Sequence, residues 1–297
     1  MNTGKIIKGV GGLYKIAANN EIFECRARGS FRHDGITVLV GDNVIFENGY
    51  ILDICERKNS TVRPPMANLD LLFICLSPKK PLPVLFTVDK LTSVCAFCNI
   101  EPVIVITKED LSQKETERIR DIYEKSGFLV FCVSEQKDKS ELLNFIKQKC
   151  KDKTCAFCGA SGVGKSTLIN SLFPELELQT GDVSIKTQRG KQTTRHIELY
   201  PLNKLLSVDC SGYIADTPGF SMLDASLYDG YDKENLVCTF TDFKKYIGKC
   251  KYVKCTHTKE EGCAILDGMA NGDFSATRHE SYLALYEQLK NKHFWDK

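Results

Sequence analysis

No apolar run in the chain approaches the roughly 20 residues that a membrane-spanning helix needs, so a helical transporter or channel is excluded. An export signal is lacking too. The start, MNTGKIIKGVGGLYKIAANN, has a short apolar stretch but neither a signal-type apolar core nor a small-residue cleavage site. A cytoplasmic location and no membrane partner are expected. Charge of one sign is scarce: 40 Lys and Arg stand against 38 Asp and Glu, a net of +2. That excludes a polybasic tail and leaves nucleic-acid binding open. The small basic excess lies at the two ends. Internal repeats and low-complexity tracts are absent, which removes solenoids.

Cysteine is the exception to this sparseness, with 14 in 297 residues. Most sit in apolar runs, such as Cys75 in LLFICL and Cys132 in LVFCV, where a thiol behaves as a small hydrophobe. A reducing compartment fits them better than disulfides. CAFC occurs at Cys95–Cys98 and again at Cys155–Cys158. A packing role is favoured over a redox or metal pair, because the second lies in a strand and neither has a histidine nearby.

Three segments follow from patterning. Residues 1–63 carry short alternating runs (GLYKIAA, EIFECRARG, ITVLVGDNVIFENGYILDICE) broken by Gly and Asn turns. They predict a small barrel, of which the OB-fold is one kind. Pro64-Pro65 marks a boundary. Residues 64–235 alternate strands (LDLLFICLS, EPVIVITKED, FLVFCVSE, TCAFCG) with helices, which predicts an α/β unit with a largely parallel sheet. Residues 236–297 are loop-like before a helix at ESYLALYEQLKNK.

GASGVGKST, from Gly159, fits a phosphate-binding loop. It follows an apolar strand and opens a helix, as the pattern requires. Its glycines let backbone N–H groups turn toward phosphate oxygens, Lys165 reaches the β/γ-phosphates and Ser166 offers a hydroxyl to Mg²⁺. IADTPGF places Asp216 51 residues beyond Lys165, where a carboxylate holds Mg²⁺ and the Gly219 amide can sense a γ-phosphate. Between them TQRGKQTTRH, 187–196, is a switch candidate. Thr193 and Thr194 both qualify as the Mg²⁺-capping residue, with Thr194 favoured.

These parts do not name the base. ITKED, 106–110, does: Asp110 can accept from guanine N1–H and the 2-amino group, which adenine cannot offer in that geometry. Lys108 would lie along the base, and Thr107 would tie this loop to the phosphate loop. Ser134, at the end of the next strand, sits where GTPases place a backbone contact to the base. Both base-reading elements precede the phosphate loop, the reverse of the usual order. A circular permutation accounts for this, since it preserves the sheet and its loops in space. Finally, Cys250-x4-Cys255-x-His257-x5-Cys263 supplies a full tetrahedral donor set for one structural Zn²⁺.

With RKNSTVRPPMANLDLLFI, TVDKL, ITKED, GASGVGKST, RGKQTTRH, DTPGF and the Cys/His cluster, nearly the whole chain resembles the circularly permuted family called ribosome small subunit-dependent GTPase A. The resemblance implies an N-terminal OB-fold barrel, a permuted P-loop GTPase domain and a C-terminal zinc-binding domain. It implies a slow GTPase stimulated by the small (30S) ribosomal subunit, acting late in that subunit's assembly. GTP or GDP is then assigned to Thr107, Lys108, Glu109, Asp110, Ser134, Gly159, Ala160, Ser161, Gly162, Val163, Gly164, Lys165, Ser166, Thr167, Asp216 and Gly219, with Mg²⁺ at Ser166 and Asp216. Two positions depart from common patterns. Phe220 stands where many GTPases have a water-orienting Gln, a feature the family shares. Gln192 stands where the family commonly carries a His, so Lys165, Gln192 and Thr194 are the catalytic candidates and His196 is off-pattern. For rRNA, Arg26, Arg28 and Arg32 around Phe31 are candidates, as are Lys244, Lys245, Lys249, Lys251 and Lys254 with Phe243, Tyr246 and Tyr252. A solvated face with core aromatics is the competing reading. A monomer is expected. A P-loop kinase or ATPase, and a purely structural RNA-binding zinc protein, are the rival functions.

Overall fold

The structure, a computed structural model, describes residues 1–33, 35–176, 197–206, 211–216 and 227–290, without the side chains of Arg32 and Asp216. Five strands form the N-terminal barrel: β1 (Asn2–Val10), β2 (Leu13–Ala18), β3 (Glu21–Ala27), then a short helix α1 (Gly29–His33), β4 (Asn43–Glu47) and β5 (Tyr50–Ile54). The hairpins turn on residues with positive φ, Gly11-Gly12, Asn19-Asn20 and Asn48-Gly49, which suit tight two-residue loops. The order β1-β2-β3-β5-β4 closes through β1–β4 pairing, with β3 and β5 parallel. That non-local pairing is what spacing alone left undecided, and it makes the barrel an OB-type one.

One expected strand is missing. Ile36–Val40 makes only an isolated bridge, Val40 to Met66. Its backbone wraps the buried Asp42 instead. Leu39 N donates to that carboxylate at 2.7 Å, and Arg57 grips it through Nε (2.7 Å) and Nη2 (2.9 Å).

The junction motif clasps barrel to sheet. Strands β6 (Ser60–Thr61) and β7 (Met66–Ala67) pair across the two prolines. Asn59 brackets Leu69 with two side-chain hydrogen bonds, of 2.8 and 3.0 Å, and Asn68 Nδ2 reaches Gly41 O at 3.0 Å. Gly41, at φ +94°, must be glycine: a Cβ there would lie 2.1 Å from Ala67 O.

Next come β8 (Leu71–Leu76), α2 (Leu85–Phe97), β9 (Glu101–Ile106), α3 (Gln113–Lys125), β10 (Leu129–Cys132), α4 (Ser140–Lys149), β11 (Thr154–Gly159), α5 (Lys165–Leu172), β12 (Leu199–Pro201), α6 (Leu202–Leu206) and β13 (Tyr213–Asp216). The sheet order is β10-β9-β8-β11-β13-β12, parallel except for β12 at its edge. All of β8 is buried, as its unbroken apolar run requires. Its Leu72, Ile74 and Leu76 face a core shared with α2 and α3, while Leu71, Phe73 and Cys75 face α4 and α5. The period of two thus builds both layers at once. The barrel meets the sheet edge where Lys8 bridges Glu198, with Nζ 2.6 Å from the carboxylate.

The C-terminal unit holds α7 (Leu236–Thr239), α8 (Ala264–Ala270) and α9 (Ala276–Lys290) around Phe240, Phe243, Phe274 and Tyr282. Arg278 of α9, 1% exposed, pairs with Asp89 of α2 (2.7 Å) and Asp242 (2.9 Å). Its guanidinium also stacks near Phe240 and Phe128, 4.8 and 5.3 Å from their centroids. No helix among the described residues is long and apolar enough to cross a membrane.

Candidate nucleotide site and metal centre

The phosphate loop leaves β11 in mid-sheet and enters α5. Gly159 (φ +156°), Gly162 (+78°) and Gly164 (+95°) all adopt backbone states that L side chains avoid. At Gly159 the demand is also steric, because a Cβ would lie 2.5 Å from Cys75 O on β8. Ala160, Ser161 and Gly162 are exposed at the loop's crest, Val163 is buried beneath it, and Lys165, Ser166 and Thr167 are half-buried in the first turn of α5. Backbone donors at a helix start favour an anion there.

Thr107, Lys108, Glu109 and Asp110 lie at the end of β9 and in the turn that follows it. Thr107 Oγ1 sits 2.5 Å from Val163 O and 3.0 Å from Leu76 O, so its proton reaches the phosphate loop. Lys108, at φ +52°, donates to Gly162 O (2.6 Å) and Lys80 O (3.2 Å). Its Cε would be 3.3 Å from a Cβ on Gly164, so the stem runs directly over that glycine. Asp110 is exposed. A pocket of about 110 Å³ opens between these parts, lined by Thr107, Lys108, Val133, Ser134, Glu135, Lys139, Gly164, Thr167, Leu168 and Ser171. Base loop, Ser134 loop and α5 therefore share one cavity, although some 50 residues separate the first from the last.

Asp216 ends β13, opposite Phe157 in the ladder, two residues before Gly159. The backbone thus brings Asp216 beside the strand that enters the phosphate loop, on whose far side Ser166 follows in sequence. Both offer oxygen donors, the type Mg²⁺ takes. Gln192, Thr193, Thr194, His196, Gly219 and Phe220 lie outside the described residues.

In the C-terminal unit the donor atoms of Cys250, Cys255, His257 and Cys263 all lie within 4.8 Å of one another. Cys250 Sγ and Cys263 Sγ are each 3.5 Å from His257 Nδ1 and 4.0 Å from each other. Donors on a zinc tetrahedron, with bonds of about 2.3 Å to sulfur and about 2.0 Å to nitrogen, stand roughly 3.5–3.8 Å apart. The Cys₃His set therefore fits zinc. His257 holds a left-handed φ of +60°, fixed by His279 Nε2 on its carbonyl at 2.7 Å.

Some residues that build these sites escaped the sequence reading. Glu260 binds the backbone N–H of Thr256 (2.7 Å), Thr258 (2.9 Å) and Lys259 (3.1 Å), closing the turn that carries His257. Burial opposes its charge, but these N–H groups and the Thr256 hydroxyl hold its carboxyl down at about 2. A Glu in a polar turn gives no pattern to find it by. Lys139, on the pocket wall, sat in the run QKDKS and was equally silent. Arg278 did leave a signal, since Arg278, Tyr282, Leu285 and Leu289 share one helical stripe.

Two aromatic candidates for RNA stacking are corrected. Phe31 is 6% exposed and Phe243 0%, so both are core and cannot meet a base. Tyr252 is exposed, as are Arg26 and Arg28. The CAFC cysteines are buried; burial pushes the Cys95, Cys98 and Cys158 thiols up, Cys98 to about 11. They are packing residues.

Comparison with known proteins follows the same lines. The RsgA N-terminal domain family matches residues 3–50, and the RsgA GTPase family matches residues 54–226. The chain belongs to the RsgA GTPase family. Small ribosomal subunit biogenesis GTPase RsgA 2 of Listeria monocytogenes is 38% identical, over 98% of this chain and 99% of its own. Small ribosomal subunit biogenesis GTPase RsgA of Clostridium beijerinckii is 39% identical, over 97% and 99%. The crystal structure of YloQ, a circularly permuted GTPase, superposes with a TM-score of 0.76 at 32% identity, covering 99% of this chain and 96% of that one. YjeQ from Thermotoga maritima shares the fold, with a TM-score of 0.78 at 24% identity, over 98% and 99%. Family membership makes this chain a GTPase, and its permuted order is the family's fold.

Proposed function

We propose that this chain hydrolyses GTP to GDP and phosphate as a cytoplasmic, monomeric maturation factor of the small (30S) ribosomal subunit. The observation that carries this reading is the pair of ties from ITKED to the phosphate loop. Thr107 to Val163 (2.5 Å) and Lys108 to Gly162 (2.6 Å) put the base-reading loop over the phosphate loop in reversed chain order. Asp110, two residues beyond the pocket-lining Lys108, then reads the guanine edge, and Ser134 lines the pocket with Lys108. Loop amides from Gly159 to Gly164 and Lys165 hold the β/γ-phosphates and stabilise charge as it develops in transfer. Ser166 and Asp216 would hold Mg²⁺, which neutralises phosphate charge when bound. Gln192 and Thr194 are proposed to position water and cap the metal.

Three units divide the work: 1–63, 64–235 and 236–297. In the last, Cys250, Cys255, His257 and Cys263 hold one structural Zn²⁺ and leave no seat for a reacting water. The exposed Arg26 and Arg28 of the barrel, and Tyr252 with the lysines around it, are proposed to contact rRNA. The names of the relatives support the small subunit as partner.

The test is base selectivity. Parent protein should bind GTP and reject ATP by at least about 100-fold. Asp110→Asn exchanges an acceptor for a donor, so it should lose GTP and gain xanthosine triphosphate, whose 2-oxo group accepts. Equal binding of ATP and GTP by the parent would overturn the reading.

A further inference from the structure

We propose that Lys137 and Glu109 form a latch that joins the two base-reading loops and sets the rate at which guanine nucleotide leaves. The proposal rests on reading the pocket as the guanine site. Glu109 lies between Lys108 and Asp110, so whatever holds it also holds the residue that reads the base. Its carboxylate takes Lys137 Nζ at 3.0 Å on Oε1 and 3.3 Å on Oε2. Glu109 also donates its backbone N–H to Val133 O at 3.3 Å, beside Ser134. Among the described residues this is the only side-chain ion pair between the two loops.

Lys137 is itself held. Lys139 Nζ donates to Glu135 O and Lys137 O, both at 3.2 Å, and so curls the segment after Ser134 back on itself. The same Lys139 lines the pocket with Glu135. Lys108, on the opposite side, is already committed to the phosphate loop. One lysine thus fastens base loop to phosphate loop, a second fastens base loop to Ser134 loop, and a third stiffens the Ser134 loop. A base held between these loops leaves more readily when they part. Holding them together before binding lowers the ordering cost of association and slows release.

The Glu109 side chain is 19% exposed and that of Lys137 is 50% exposed, so the pair is partly screened. Dissociation of GDP should accelerate by about three- to fivefold when it is broken, the range of a modest ion pair. The experiment follows release of a fluorescent GDP analogue, chased by excess GDP or ADP, from full-length protein. Lys137→Met should release about three- to fivefold faster and Lys137→Glu at least as fast. Lys137→Arg, which keeps a cation within reach of Glu109, should release within about twofold of the parent, a rescue that loss of general structure would not give. Added salt should speed release more from the parent than from Lys137→Met, which has no latch left to screen. An unchanged rate in Lys137→Met, or release from Lys137→Arg as fast as from Lys137→Met, would overturn the latch. If ADP chases as well as GDP, the guanine assignment fails and takes the latch with it.

Discussion

Arg278 offers the sharpest test of how the C-terminal unit is fastened. Its guanidinium donates Nη1 to Asp89 at 2.7 Å and Nε and Nη2 to Asp242 at 3.1 and 2.9 Å. Burial opposes its charge, and the two carboxylates overcome that and keep it protonated. Arg278→Met keeps an unbranched apolar stem, removes the guanidinium that stacks near Phe128 and Phe240, and strands two buried anions. Removing one partner of a buried pair costs about 3–5 kcal/mol. Here Asp89 retains the Tyr123 hydroxyl (3.1 Å) and Ser281 (2.6 Å), and Asp242 retains Ser126 (3.0 Å). These remaining donors place the cost near the lower bound, about 3 kcal/mol, or roughly 100-fold in local opening. Hydrogen exchange read by mass spectrometry should show that loss of protection in α9 and in Leu236–Thr239, with β9 little changed. Adding Asp89→Asn and Asp242→Asn to Arg278→Met removes the stranded charges and should recover most of it. A change below about threefold in α9 would refute the reasoning, because no buried charge would then have been left unpaired.

Other perturbations test the site piece by piece. Gly159→Ala drives a Cβ to 2.5 Å from Cys75 O; isothermal titration should find GTP and GDP affinity lowered by more than about tenfold, and an unchanged affinity would contradict the loop's geometry. Thr107→Val leaves Val163 O without its hydroxyl donor while Leu76 O keeps the Thr107 N–H at 2.8 Å, and the phosphate loop loses about 1–2 kcal/mol of support, read as roughly tenfold weaker GDP binding. Metal analysis of purified protein should return one zinc per chain. Cys263→Ser or a strong chelator should remove it and unfold the C-terminal unit, seen as new protease cleavage after residue 236, whereas zinc-free protein with an intact C-terminal unit would contradict the structural role.

Legibility in the sequence followed the range of each interaction. The phosphate loop, ITKED and the Cys/His set are local spacings, so the residues themselves carry the chemistry. The permutation was readable for the same reason, as order along the chain is all it requires. The barrel type was not, because it turns on β3 pairing with β5 across an intervening helix and strand. Ile36–Val40 alternates like a strand, yet the buried Asp42 captured its backbone. Phe31 and Phe243 sit beside basic residues that suggest RNA, but a side chain's direction depends on the fold around it. ITKED and Ser134 were expected to meet at the base, but nothing in the sequence pairs Glu109 with Lys137. Arg278 was in plain view on an apolar helical stripe, and only its partners, more than 30 residues away at the nearest, were hidden.

The central claim is that a guanine site assembled in permuted order serves the small ribosomal subunit. GTP hydrolysis measured with and without purified small subunits tests it most directly, with ATP and Asp110→Asn as controls. The account predicts slow hydrolysis alone, strong stimulation by the subunit for GTP only, and loss of both in Asp110→Asn. Tight GTP binding with no stimulation would contradict the assignment of the subunit as partner, and stimulation equal for ATP would contradict the guanine site itself.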